Sequence, residues 1–600
     1  MIAAALPALT PAIGQDKPES ILPPGFGDPA PTPAPPRPAA SPRPTTSAPS
    51  ATPSTPAPTP TVPMVQPLPA TSGDAATVDP AAADPEAATP AAIDPAVLAQ
   101  YEMPLAARRS LALVGPAGPR EGAMRADVFG DANGRFLEGL MRRTAAPLPS
   151  RWLSILLRRV LVSAVNTPTD VNGADFAAER AWLLLRMGES VGARAVVQGV
   201  DTGNYTPKLF EVAMNTALAT GDPAGLCPLA PAGVAATHER GWTLAQTMCA
   251  ALAGNQREAK AGITQARRRG VASGIDLQLA QKVVGAGPNG GQAVTIEWAG
   301  VDALTVWRFG LAIATGVTIP DALFETTGDQ TRSWYALAPG IAMAAKLPAV
   351  DGAAAQGVLS STALVDFYGA IADADDSPRD ASATAQDLRT AYTAATADAR
   401  YAALRQIWGP ATATTPYARL VLTARAAMRL PPTTSVDDYN SLIASMLTAG
   451  LDRPAARWRD VVPAGGDAWA MILLSDPDAR GRVSYGDLSS YAGKGDAQLK
   501  QRLFFAGLAG LGRLSPEDTE RAAASLDVKI GAQNSWTRAI DRAASRNEPG
   551  TVALLAAIGM QTPSWQGVSP AMLYRTVSAL RAVGLEGEAR MIAAEAIARA

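Results

Sequence analysis

The chain has 600 residues, of which 18% are charged, with a net charge of −2 and one histidine. So even a balance excludes a global field drawing the chain onto nucleic acid or an anionic membrane, and a lone histidine leaves almost no set of metal ligands to assemble. Hydrophobic residues make up 47% while aromatics are only 5%; such cores of small side chains suit closely packed helices, so the chain is expected to be all-α.

Residues 1–14, MIAAALPALTPAIG, are apolar and run into Gln15, Asp16 and Lys17. They have the form of a secretory signal peptide without its basic start, either the remnant of a longer signal or an ordinary cytoplasmic terminus. The first reading, export to a periplasmic setting, is the expectation carried forward. Prolines at positions 7 and 11 and the short length exclude a membrane span here, and no later segment is long and apolar enough. Residues 15–98 form a Pro/Ala linker that cannot build a core. It serves as a spacer, as a docking peptide, or as compositional filler. Within it, residues 20–28, SILPPGFGD, are apolar and non-repetitive, which marks a candidate short linear motif.

From residue 99 helical periodicity takes over, and two blocks are expected, 99–410 and 411–600. Gly188, Gly221 and Gly254 recur at 33-residue intervals, each followed by a polar residue, Glu189, Asp222 and Asn255. That is the period of a helical hairpin, with the glycine ending the first helix in the left-handed conformation. An alanine stands five residues after the glycine in four segments: Gly188 and Ala193, Gly254 and Ala259, Gly450 and Ala455, Gly584 and Ala589. Ser515-Pro516 and Ser569-Pro570 each open a helix with a cap and a proline in the first turn. Residues 293–298, AVTIEW, resemble a strand without partners and are expected to be an irregular connector.

This pattern, an apolar helix, Gly, a polar turn and Ala in the second helix, resembles the tetratricopeptide repeat. As a whole the chain is similar to uncharacterised exported helical-repeat proteins of Gram-negative bacteria. The resemblance implies a right-handed superhelical α-solenoid of antiparallel helix pairs that scaffolds a protein partner. The family's Trp, Tyr and closing Pro positions do not recur, so none of its peptide-binding residues transfers.

Cys227 and Cys249 are the only cysteines. They form a disulfide in an oxidising compartment or remain buried thiols. Residues 285–290, GAGPNG, match a dinucleotide fingerprint but precede a strand-like run instead of following one, so a loop is expected. His238 is expected to cap a helix or sit on the surface. The acidic stretch around Asp373, Asp375, Asp376 and Asp380 lacks the Gly and Glu of a calcium loop. Glu189-Ser190 imitates the catalytic pair of lytic transglycosylases, but the Gly-Leu-Met string, 139–141, lies before it. The basic runs Arg142-Arg143, Arg158-Arg159 and 267–269 are expected to be solvated faces. The eleven tryptophans fit helix packing, with a sugar platform as the other use.

The expectation is therefore a non-enzymatic envelope scaffold or adaptor with no catalytic, cofactor or metal residues, binding a protein partner and no nucleic acid. The alternative is an accessory factor or enzyme of cell-wall or polysaccharide metabolism, with a glycan as ligand.

Overall fold

The computed structural model describes residue 104 and residues 107–600, apart from residues 292, 376, 411–413 and 480. The expected signal peptide, the linker and the 20–28 motif lie outside the described residues. From Arg109 to Ala600 the chain belongs to one compact unit. Among the described residues it contains 27 α-helices and one two-stranded antiparallel pair, Leu113–Val114 with Val165–Asn166. The AVTIEW run has no regular structure.

Local chemistry sets the helix ends. Ser150, Asn172, Thr206, Ser360 and Ser515 each accept a hydrogen bond from a backbone N–H in the first turn of the helix that follows. Helix Pro570–Ala582 starts where Ser569-Pro570 predicts, yet the Ser569 hydroxyl makes no capping bond, so the proline alone marks the start. All five predicted turn glycines have positive φ, from +65° at Gly221 to +88° at Gly254. Each is followed by an N–H that reaches five residues back: Glu189 to the Leu184 carbonyl at 2.9 Å, Asp222 to Ala217 at 2.9 Å, Asn255 to Ala250 at 2.8 Å, Leu451 to Met446 at 3.1 Å and Leu585 to Leu580 at 2.9 Å. Ala193, Ala259, Ala455 and Ala589 are fully buried, so the second helix of each pair rests its Cα against its neighbour.

Helices that follow one another pack as pairs: Gly173–Arg186 with Ser190–Gln198, Arg240–Leu252 with Gln256–Arg268, Tyr417–Ala427 with Tyr439–Thr448, and Pro570–Ala582 with Glu586–Arg599. In an open solenoid each repeat would touch its neighbours only. Here helix Arg151–Val162 instead packs on Gly173–Arg186, Met343–Gln356, Pro549–Gly559 and Glu586–Arg599, joining an early helix of the described residues to the last one.

Polar groups fix that junction. Glu595, on the last helix, accepts from the Ser150 hydroxyl at 2.6 Å, the Arg151 amide at 2.8 Å, the Trp152 amide at 3.2 Å and the Arg599 guanidinium at 2.9 Å. A carboxylate 445 residues away thus caps this helix where its unpaired N–H groups and positive dipole end point. At the same helix start the buried Arg151 guanidinium donates to the carbonyls of Ala354, Leu359 and Thr448, and two turns on Arg158 donates to the Gly357 carbonyl at 2.8 Å. Two arginines on one face therefore hold the carbonyl-rich C-terminal end of helix Met343–Gln356.

Seven of the eleven tryptophans, at positions 182, 242, 307, 334, 408, 458 and 565, are buried in the core. Arg180 is buried as well, its guanidinium donating to Ser163 O at 2.7 Å and Val114 O at 2.8 Å. Burial pulls its pKa down to about 9.

Candidate functional site

A cleft of about 580 Å³ opens beside the last helix, within the size range of ligand pockets. Three helix N-termini reach it: Thr414 to Tyr417 lead into Tyr417–Ala427, Asp438 caps Tyr439–Thr448, and Asp467 opens Asp467–Ser475. Lys500, Gln566 and Arg599 complete the walls. A second space of about 320 Å³ shares Asp438, Asn440 and Lys494 with the first.

Partners hold the charged groups of this cleft in place. The buried Asp467 accepts from the Tyr491 hydroxyl at 2.5 Å and from Lys500 at 3.1 Å; burial and Asp467 together push the Tyr491 phenol far above its ordinary pKa. Asp438 accepts from the Ser441 amide at 3.0 Å. Asn440 accepts from the Ala468 amide at 2.9 Å. The Arg599 guanidinium lies 4.3 Å from the centre of the Tyr417 ring and donates to Glu595 and, at 2.8 Å, to Pro149 O. Burial, with Glu595 adding to it, pushes the Tyr417 phenol up. The cleft wall and the junction at helix Arg151–Val162 thus share Arg599 and Tyr417. None of these residues stands out in the sequence; the only local signal is the capping position of Asp438.

Glu189 does not line this cleft. It is buried in the turn after Gly188, with Arg158 at 2.8 Å. Burial is the larger effect and pushes its carboxyl up to about 7, against the pull of Arg158. Ser190, next to it, is buried too. Neither lines the cleft.

Cys227 and Cys249 are joined by a disulfide, with Cα atoms 5.4 Å apart. It ties the end of a short 3-10 turn, Pro223–Leu226, to helix Arg240–Leu252. His238 is exposed and ends helix Ala230–Thr237 in the left-handed conformation, with φ of 57°. Residues 285–290 are the C-terminal end of helix Gly274–Ala286 and the turn after it, which Gln256 braces through the carbonyls of Val284 and Pro288. No strand leads in and no helix N-terminus faces a ligand there, so the fingerprint has none of the geometry it needs. Asp373 ends helix Ser361–Ala372 and pairs with Arg389 at 2.8 Å. Among the described residues no group of three or more His, Cys, Asp or Glu side chains converges as metal ligands, and no helix is long and apolar enough to cross a membrane.

No protein family matches the chain, and neither a curated protein nor a solved structure matches it.

Proposed function

We propose that the chain is a non-enzymatic scaffold or adaptor of the bacterial cell envelope, exported to the periplasm, that holds a segment of a protein partner in the cleft beside its last helix. The right-handed superhelical path expected of tetratricopeptide-like arrays belongs to the same proposal. One observation carries this reading: the cleft is preformed, with Asp467 and Arg599 each held by internal partners. Such walls suit binding by shape and hydrogen bonds, because a general acid or base needs a proton-transfer group facing the ligand. The disulfide between Cys227 and Cys249 fits an oxidising compartment.

The test places a photo-activatable phenylalanine analogue at Gln566, in the cleft, and at Phe136, which is 45% exposed on helix Gly134–Arg143. Irradiation in living cells is expected to give one discrete protein adduct from Gln566 and none from Phe136. Adducts of the same kind from both positions, or adducts to glycan alone, would sink the reading.

A further inference from the structure

The three basic runs of the sequence meet different fates in the fold. Arg142 pairs with Glu138 and Glu179, Arg158 with Glu189, and Arg159 with Glu588. The third run does not follow them. On helix Gln256–Arg268, Arg257, Lys260, Arg267 and Arg268 are all exposed, and none of the four side chains pairs with a carboxylate among the described residues.

Their spacing is i, i+3, i+10 and i+11, which places all four on one helical face together with the exposed Thr264 at i+7. Ala259, Ile263 and Ala266 are buried on the opposite side, so the packing of the helix fixes the outward direction of the charges. The stripe runs about 16 Å along the axis at 1.5 Å per residue. The surroundings do not offset it: from 240 to 290 the chain carries Arg240, Arg257, Lys260, three arginines at 267–269 and Lys282, against only Glu258 and Asp276. Asp276 is itself taken up by Arg308 at 2.9 Å. A chain of net charge −2 thus concentrates an excess of five positive charges, seven less two, in one stretch.

We propose that this face is a docking surface for an anionic phospholipid bilayer, on which the protein rests by electrostatic attraction. Stable protein interfaces surround their arginine anchors with aromatic and other well-packed, desolvated contacts. This face has none: the large hydrophobic side chains exposed among the described residues are Leu113, Phe136 and Val191, none of them on this helix. The helix carries no aromatic ring for a nucleic-acid base to stack on. A row of point charges on an exposed helix face matches a plane of mobile phosphate headgroups, where each Lys or Arg near the surface strengthens attachment about five-fold.

Full-length protein is sedimented at physiological salt with vesicles of phosphatidylcholine, and with vesicles of equal parts phosphatidylcholine and phosphatidylglycerol. Partition onto the mixed vesicles alone is expected, falling steeply as salt is raised. The double substitution Arg267→Ala and Arg268→Ala should weaken partition roughly 25-fold, at about five-fold per cation. The equally exposed pair Arg425→Ala and Arg538→Ala should leave it within about two-fold. Equal partition onto both vesicles, or equal loss in both double variants, would overturn the proposal. So would capture by polyglutamate or duplex DNA as tight as by the mixed vesicles.

Discussion

Two regions of this protein are held together by different means. From Gly173 to Arg268 the helices are joined by short turns, and at Gly188, Gly221 and Gly254 a helix-end carbonyl is met by an N–H five residues on. At the junction around Arg151–Val162 the partners are 200 to 445 residues away, and polar side chains reach backbone groups across the fold. The first kind of order is repeated and local, so losing one turn leaves its neighbours in place. The second kind is single, and one carboxylate, Glu595, serves three groups at the start of one helix.

The largest effect is therefore expected at the junction. Glu595→Ala leaves the Ser150 hydroxyl and two amides without their acceptor, and Arg599 with only the Pro149 carbonyl, and should cost about 3 kcal/mol in urea unfolding. A loss no larger than that from an exposed glutamate would erase the contrast. Within the repeats the disulfide comes next: closing a loop of 22 residues, it should contribute about 3 kcal/mol. Denatured protein should show no free thiols before reduction and two after it; two free thiols beforehand would contradict the bond.

Two glycines sharpen the comparison inside the repeat itself. A Cβ at Gly188 would stand 2.6 Å from the Ser333 Cβ, while at Gly254 nothing lies within 4 Å. Both have positive φ, 85° and 88°. Gly254→Ala should cost only the left-handed penalty, about 1 kcal/mol, and Gly188→Ala clearly more, because it also displaces a buried neighbour. Equal losses would mean that the turn alone, and not its packing, selects glycine at Gly188.

The smallest expected effect is a slope. Glu189 has a folded pKa raised to about 7 by burial, above the ordinary glutamate value of about 4.3. The folded chain therefore binds its proton more tightly than the unfolded one, and this group's contribution to stability is fully present at low pH and lost as pH rises through 7. Glu189→Gln should flatten the fall in stability between about pH 5 and 8; an unchanged profile would show that Glu189 titrates normally.

The sequence made the repeat legible because its turns use glycine at a fixed interval and its close contacts use alanine. It hid the same turn where other residues adopt positive φ, as Asp527 and Asn547 do. The meeting of the two ends was hidden as well. Ser150 looks like an ordinary cap and Glu595 like an ordinary interior residue of the last helix, and nothing in the spacing along the chain says that one completes the other. The cleft was invisible for a related reason, since Tyr417, Asp467, Lys500 and Arg599 come from four helices and form no motif. The basic stripe was half visible: Arg267 and Arg268 were evident as a run, but their alignment with Arg257 and Lys260, and the lack of carboxylates opposite them, depend on how the helix packs.

The most direct test of the junction is amide hydrogen exchange in residues 150–156, compared with residues 183–186 in the heart of the repeat. If the last helix caps the helix starting at Arg151, both segments exchange at the same slow rate, and Glu595→Ala accelerates only the first. If residues 150–156 already exchange in the wild type as fast as a frayed helix end, the two ends do not hold each other and the array is open.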